Sequence, residues 1–335
     1  MEDPGHWLFV ALLAAMVVSA FASLDRRVAF AFTLGFALLT WAFVFGSEWL
    51  AERFELLTAR LLPLLAVGSS ASFLYAVVRT LVTHQARGIT LFAGENGLGT
   101  LTILCGGVTI GYLSGLEGRW RYLVIPYSLL TVAALLACGS RGAWLGFVTM
   151  AAALGSVNRR LRWWAATGVV ALILILALSP AFSYRFLAAF DVSKNMSRVY
   201  IYRSTLNMIR DHPWIGVGAG VFGEVYPHYI LPGDPDPGAA FAHNLLLQVA
   251  AEFGILGLTV FVVLLGRILW VAGKLALRKG LLYQGIFAAL VGTLVHQQVD
   301  IPIWGFEIGG AFWILCGLVL ATHARERRGR PLRSW

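Results

Sequence analysis

Long apolar runs separated by short polar connections make up most of the chain. A helix needs about 20 mainly apolar residues to cross a bilayer, and ten runs are candidates for this. They lie at 7–24, 28–46, 57–82, 98–116, 122–138, 142–156, 163–182, 244–273, 281–299 and 303–322. Each run must satisfy its own backbone hydrogen bonds in lipid, which favours helices. We therefore predict an all-α fold, a polytopic bundle of about ten transmembrane helices.

The composition supports a membrane protein. The 335 residues are 59% hydrophobic and 13% charged, with a mean hydropathy of +0.75, which excludes an ordinary soluble domain. The net charge of +9 lies mostly in short loops and the tail, a pattern that orients membrane proteins. We therefore expect contact with membrane lipid and no nucleic-acid partner. The start of the chain lacks the basic residues of a cleavable signal peptide.

The basic segments predict the topology. Arginines and lysines cluster at 159–162, 274–279 and 325–333. If ten spans alternate, these three clusters share one side, which the positive-inside rule makes cytoplasmic. The basic loop Asp25-Arg26-Arg27 falls on the other side, but three clusters outweigh one short loop. The predicted units are seven spans in 1–182, an outer loop at 183–242, three spans in 243–322 and a basic cytoplasmic tail at 323–335.

The outer loop carries a predicted amphipathic helix. Ser197 is expected to cap a helix that starts at Arg198 and stops before Pro213. Its apolar stripe consists of Val199, Tyr202, Leu206 and Ile209. Arg198 lies on one flank of this stripe, and Arg203 and Arg210 lie on the other. These arginines could face a substrate, or they could bind lipid headgroups, and the pattern leaves both interpretations open.

His243 and Asn244 lie where the eighth span begins on the outer side. The amides of a helix N-terminus favour a nearby anion, and a neutral imidazole there could accept a proton from an attacking hydroxyl. A headgroup-facing histidine would look the same. Further polar residues fall on this outer face, namely Arg87, Asn96, Arg141, His296 and Asp300. Each could be an ordinary loop residue, but their convergence favours a binding site.

A group of arginines around a histidine suits a diphosphate leaving group, because guanidinium binds phosphate oxygens bidentately and stays charged. The outer face has no HExxH motif, which disfavours a zinc-dependent reaction, and we expect no metal ion and no cofactor. Cys105, Cys138 and Cys316 have no CxxC spacing, so packing is their expected role. The GxGxxG pattern at 218–223 follows no predicted strand and is rejected as a dinucleotide site. We expect its glycines to form tight turns beside the bundle.

Several motifs together resemble the O-antigen ligase and polymerase superfamily. They are Leu91-Phe92-Ala93-Gly94-Glu95-Asn96, Cys138-Gly139-Ser140-Arg141-Gly142-Ala143-Trp144, Ser197-Arg198 through Gly216-Val217-Gly218, Ala242-His243-Asn244 with Glu252-Phe253-Gly254, and His296 to Pro302. The resemblance implies a GT-C-like helix bundle in the bacterial inner membrane with a large periplasmic loop. It also implies metal-free, inverting transfer of a glycan from an undecaprenyl-diphosphate carrier to an acceptor hydroxyl.

The resemblance maps catalytic roles to Arg141, Arg198 and His243. Substrate contacts are expected from Arg87, Asn96, Arg203, Arg210, Asn244, His296 and Asp300. Three functions remain open: a ligase acting on lipid A–core or a similar acceptor, a polymerase that joins carrier-bound repeats, and a membrane transporter. Few ionisable residues lie within the spans, and no pair of broken helices carries charges at mid-membrane depth, which argues against transport.

Overall fold

The computed structural model of the chain describes residues 4–53, 60–83, 87–90, 93–188 and 191–329. All regular elements in these ranges are helical, which confirms the predicted class. The α-helices are α1 Pro4–Ala22, α2 Arg26–Glu52, α3 Leu62–Thr83, α4 Glu95–Ser114, α5 Val124–Cys138, α6 Arg141–Val157, α7 Arg159–Leu178, α8 Pro180–Leu187, α9 Met196–Asp211, α10 Phe222–Val225, α11 Leu245–Arg278, α12 Leu281–His296 and α13 Phe306–Arg327. Short 3₁₀ helices lie at Gly118–Leu123, Val192–Asn195, Tyr226–Tyr229 and Pro302–Trp304.

Each of the ten predicted runs overlaps one of the helices α1–α7 and α11–α13. Within the described ranges, seven helical segments are long and apolar enough to cross a membrane. Helices α6 and α12 have only 17 and 16 residues, so the number of spans stays a prediction. Several boundaries differ from the expectation by four or more residues. For example, α2 continues to Glu52 and α7 ends at Leu178, and α13 continues to Arg327, so the predicted tail begins inside a helix.

Side-chain contacts bring the basic segments to one end of the bundle. Asn158, between α6 and α7, donates from Nδ2 to Oε1 of Gln284 in the first turn of α12, at 2.7 Å. Lys279, after α11, pairs through Nζ with Oε1 of Glu326 near the end of α13, at 2.9 Å. The segments around 159–162, 274–279 and 325–328 therefore share an end. The start of α6, the start of α11 and the end of α12 form the opposite end.

Helix α12 packs between α4 and α6 with its backbone close to both. A Cβ atom on Gly285 would lie 2.4 Å from the carbonyl oxygen of Gly107 in α4, and one on Gly292 would lie 2.5 Å from that of Gly146 in α6. Small residues allow such close approach between helices in membrane bundles. This packing places the first turns of α4 and α6 beside the end of α12, where most of the predicted site residues lie.

Helix α11 is broken at Gly254, which has φ 66° and ψ −172°. The outer loop docks into this break through four backbone hydrogen bonds of 2.8 to 3.4 Å. They run from Val217 N to Ala251 O, from Gly218 N to Glu252 O, from Ile255 N to Pro213 O and from Leu256 N to Trp214 O. A Cβ atom at position 254 would lie 2.2 Å from the carbonyl carbon of Trp214, so the left-handed conformation and the close loop both require glycine.

Helix α9 differs from the predicted amphipathic helix at its start and in its buried face. It begins at Met196, two residues before the expected start, and it ends at Asp211 as the proline predicted. Its buried residues are Ile201, Ser204, Thr205 and Met208, whereas Leu206 of the predicted stripe is exposed. The Thr205 hydroxyl can face inward because it bonds to the helix itself, donating to the Ile201 carbonyl at 2.7 Å.

Candidate active site

A cavity of about 360 Å³ at the non-basic end of the bundle is lined by four arginines. Arg87 precedes α4, Arg141 is the first residue of α6, Arg185 lies on α8 and Arg198 lies in the first turn of α9. The other lining residues are Asn96, Gly139, Ser140, Gly142, Tyr184 and Ala188. None of the described lining residues is acidic. The cavity, called the arginine cavity below, is therefore suited to a polyanion.

Neutral acceptors hold three of these arginines without cancelling their charge. Arg87 donates from Nε to the Cys138 carbonyl at 3.2 Å and from Nη2 to Asn96 Oδ1 at 3.1 Å. Arg141 donates from Nη1 to the Ala188 carbonyl and from Nη2 to Asn195 Oδ1, both at 2.8 Å. Arg185 donates from Nη1 to the Gly139 carbonyl at 3.3 Å. Burial, and then the charge of Arg87, lower the pKa of Arg185. The guanidinium group remains charged, so the crowded positive charge favours a bound anion.

The N-terminus of α6 adds backbone polarity to the arginine cavity. Ser140 caps this helix, and its side chain accepts a hydrogen bond from the Ala143 amide at 3.4 Å. Ser140, Arg141 and Gly142 all line the cavity. The partial positive charge of a helix N-terminus favours anions. The arginines and the helix end therefore act on a ligand in the same sense.

Asp300, just beyond α12, connects the arginine cavity to His243. Its Oδ1 lies 3.2 Å from His243 Nδ1, and its Oδ2 lies 3.8 Å from Arg198 Nη2. Oδ2 also accepts a hydrogen bond from the Asn96 side chain, and Oδ1 accepts one from the Ile301 amide at 2.9 Å. Burial by itself raises the pKa of Asp300. That pKa nevertheless lies below its usual value, because the carboxylate is stabilised by the hydrogen bond and charge of His243, by the Ile301 amide and by the charge of Arg198. Asp300 is therefore a carboxylate.

The backbone of His243 is left-handed, with φ +50°, the one such non-glycine residue in the described part of the chain. This conformation costs on the order of 1–3 kcal/mol and persists only where the surrounding structure enforces it. Hydrogen bonds anchor both sides: the Ala242 amide donates to Gln248 Oε1 at 2.7 Å, and Tyr202 Oη donates to the His243 carbonyl at 3.3 Å. Because Nδ1 faces Asp300, the Nε2 atom remains for a substrate.

Part of the chain is similar to a known protein family. Residues 126–262 match a family described as O-antigen ligase. This part of the chain is similar to the O-antigen ligase family. The matched segment contains Arg141, Arg185, Arg198 and His243, so three of the four cavity arginines and the histidine lie within it. The family resemblance stated from the motifs is thereby confirmed.

A curated relative extends the similarity beyond that segment. The chain is 26% identical over 239 residues to the teichuronic acid biosynthesis protein TuaE of Bacillus subtilis strain 168. The alignment covers 64% of this chain and 47% of the relative. The chain therefore spans about half the length of that protein.

Six of the ten sequence-predicted site residues come together around the ligase-family segment. These are Arg87, Asn96, Arg141, Arg198, His243 and Asp300. Asn244 has a structural role in the described contacts: its Oδ1 caps α11 by accepting from the Leu247 amide at 3.0 Å, and its Nδ2 donates to the Gln298 carbonyl at 2.9 Å. It supports the histidine through the chain rather than through a side-chain contact.

The other three predicted residues lie apart from the arginine cavity. His296 is fully buried, with Nδ1 3.0 Å from Thr100 Oγ1, and is not among the lining residues. Arg203 is exposed on α9. Arg210 lines a separate cavity of about 440 Å³ at the other end of α9, so contact of Arg203 or Arg210 with a distal part of the glycan stays a prediction.

Sequence reasoning missed Arg185. Its signal was available, because it lies at the start of the predicted outer loop, five residues after Pro180, on the same predicted side as Arg141 and Arg198. Some predicted features lie outside the described residues, namely Leu91 and Phe92 of the first family motif, residues 57–59 of the third run and Arg330 and Arg333 of the tail.

Proposed function

We propose that this protein transfers a glycan from an undecaprenyl-diphosphate carrier to an acceptor hydroxyl at the periplasmic face of the bacterial inner membrane. The observation that carries the proposal is the arginine cavity, which Asp300 joins to a histidine with a free ring nitrogen. A diphosphate and a sugar bonded to it fit these two neighbouring environments. The family match of residues 126–262 supports the same class of reaction.

The arginine cavity would receive the diphosphate. As the bond between the anomeric carbon and the diphosphate oxygen breaks, its electron pair passes to that oxygen and negative charge grows on the leaving group. Arg141, Arg185 and Arg198, with the N-terminus of α6, are fixed in advance around that charge. Such preorganised donors stabilise a transition state more than flexible solvent does. This step requires no metal ion, because the guanidinium groups supply the positive charge.

His243 would serve as the general base. Its Nε2 takes the proton from the acceptor hydroxyl while the hydroxyl oxygen attacks the anomeric carbon on the face opposite the diphosphate. The new glycosidic bond therefore has the inverted configuration. Asp300 accepts the hydrogen bond from Nδ1, which fixes the tautomer and stabilises the imidazolium ion. The proton then leaves to water and restores the base.

Two acceptors are compatible with this mechanism. A lipid A–core or similar acceptor would make the protein a ligase, the role named by the family. A second carrier-linked glycan would make it a polymerase, and the relative named for teichuronic acid biosynthesis supports this second candidate, since that name concerns the making of a glycan. Both reactions use the same leaving group and the same base.

Reconstitution separates these outcomes. The purified protein is placed in liposomes with a radiolabelled undecaprenyl-diphosphate glycan and a metal chelator, with or without lipid A–core. Label on the lipid A–core identifies a ligase, and lengthened carrier-linked glycan in the absence of lipid A–core identifies a polymerase. Movement of label across the membrane without a new glycosidic bond would refute the proposal in favour of a transporter. The Arg198→Ala variant is the matched inactive control.

A further inference from the structure

A buried pair of polar side chains on α11 lies directly behind the main chain of the histidine. Gln248 and Glu252 are one helical turn apart and are 0% and 1% exposed. Gln248 donates from Nε2 to Glu252 Oε1 at 2.8 Å. Its Oε1 accepts the amide N–H of Ala242 at 2.7 Å. A chain of two hydrogen bonds thus runs from the carboxyl group to the residue before His243.

The carboxyl group determines which way the Gln248 amide points. Oε1 of Glu252 is an acceptor whether or not the group carries a proton on its other oxygen. It therefore selects the NH₂ side of Gln248, and the amide oxygen must face Ala242. If the amide of Gln248 turned over, its NH₂ group would face the N–H of Ala242, leaving two donors opposed. Burial makes such unsatisfied donors costly.

Ala242 matters because the next residue has an unfavourable backbone. His243 has φ +50°, a conformation that residues other than glycine rarely adopt without support. The support consists of Gln248 on the N-terminal side and of Tyr202, bonded to the His243 carbonyl, on the C-terminal side. Release of the first anchor would let the backbone relax toward negative φ, which would move the imidazole away from Asp300.

We propose that Gln248 and Glu252 are positioning residues that hold His243 in its left-handed conformation and keep Nδ1 at Asp300. They act through the main chain and touch no substrate. The inference rests on the proposed function, in which His243 is the general base. A misplacement of about 1 Å can cost on the order of 100-fold in rate, so the effect belongs in kcat rather than in donor binding.

An exchange of the two side chains tests this arrangement. Gln248→Glu opposes two buried carboxyl groups and removes the defined amide, so kcat should fall about 10- to 100-fold. The double variant, Gln248→Glu with Glu252→Gln, restores a complementary pair. Its carboxylate at position 248 accepts one hydrogen bond from the Ala242 amide and another from the new side-chain amide at position 252. The double variant should recover most of the wild-type kcat. Gln248→Met, which keeps the side-chain length but has no amide, should behave like Gln248→Glu.

Two further readouts separate positioning from a general loss of fold. The KM for the lipid-linked donor should stay near the wild-type value in all variants, because the arginine cavity is untouched. Tyr283→Phe removes a buried hydrogen bond to Thr322 at the other end of the bundle, so it should lower the melting temperature in detergent without lowering kcat. If Tyr283→Phe lost as much kcat as a Gln248 variant of the same melting temperature, the inference would be overturned.

Other outcomes distinguish this inference from the proposed function. Wild-type kcat in Gln248→Met, with an inactive His243→Ala variant, would overturn the positioning role and leave the general base intact. The positioning role would also be overturned if the double variant Gln248→Glu with Glu252→Gln had no higher kcat than Gln248→Glu alone, with both proteins melting at the wild-type temperature. An active His243→Ala variant would instead refute the base assignment in the proposed function, and the positioning role with it.

Discussion

Asp300 binds His243 through Nδ1 at 3.2 Å, although the two residues are 57 positions apart. The same carboxylate faces Arg198 at 3.8 Å. One side chain thus contacts the proposed base and approaches an arginine of the arginine cavity. In the proposed mechanism, the group that accepts the proton and one arginine that would stabilise the leaving diphosphate therefore share one carboxylate. Their geometry relative to each other is set before any substrate binds.

His243→Ala should abolish glycan transfer while leaving donor binding nearly intact. Loss of a general base typically costs about 100- to 10,000-fold in rate. The measurement is the initial rate of transfer in liposomes, together with equilibrium binding of the labelled donor. If the variant kept more than about a tenth of the wild-type rate, the histidine would only position the acceptor, and the arginine cavity would carry catalysis alone.

Arg141→Lys and Arg198→Lys should each lose most activity, and Arg185→Lys should show a loss in the same direction. Lysine keeps the charge but lacks the planar fork that binds two phosphate oxygens at once. Hydrogen bonds to charged groups contribute about 1.5–3 kcal/mol each, so we expect about 10- to 100-fold lower transfer at normal expression. Arg267→Lys, on α11 near its basic end, is the matched control. Near-normal transfer by the first two variants would refute bidentate phosphate binding.

The charge of Asp300 should contribute stability that disappears in acid. Its folded-state pKa lies below the usual carboxyl value, which is near 3.9. The contribution is therefore present above the unfolded-state pKa and is lost as the pH falls through the folded-state pKa. The melting temperature of the wild type in detergent should exceed that of Asp300→Asn at neutral pH, and the gap should shrink below about pH 4. A gap that stays constant down to about pH 3 would contradict the charged pair.

Gly254→Ala should destabilise the protein and reduce transfer. The substitution introduces a Cβ into a left-handed position that lies 2.2 Å from the Trp214 backbone, so the docked loop must shift. Gly266→Ala is a matched control on the same helix, because nothing lies within 4 Å of its Cβ position. There, alanine should stabilise by up to about 1 kcal/mol through helix propensity. Equal melting temperatures for the two variants would show that the loop does not depend on the break.

The predicted topology rests on the basic end of the bundle. A periplasmic phosphatase reporter fused near Asp236 should be active, and one fused after Arg330 should be inactive, because the basic clusters are expected in the cytoplasm. A reporter at Gly280 provides an internal check. Gly280 lies in the turn between α11 and α12 at the basic end of the bundle, so this reporter should also be inactive. The reverse pattern would place the arginine cavity on the cytoplasmic side and would remove a periplasmic reaction.

The apolar runs by themselves determined the helical class and the approximate position of the long helices, because each membrane helix closes its own hydrogen bonds and needs no distant partner. The motifs also identified Arg141, Arg198, His243 and Asp300 as candidates. Sequence alone could not join His243 to Asp300, or Arg87 to Asn96, because these contacts depend on how α4, α6, α11 and α12 pack against one another.

Local pattern failed where burial depended on tertiary contacts. Helical spacing predicted a buried stripe containing Leu206, but α9 buries Ser204 and Thr205 instead, because it packs on α11 and on the folded loop at Tyr226–Tyr229. The apolar pattern of the run 244–273 also did not predict the break at Gly254, because the run reads as one continuous helix. It exists because the segment 213–218 supplies the backbone partners that the broken helix lacks. Sequence determined which residues could take part in the chemistry, and tertiary packing decided which of them meet.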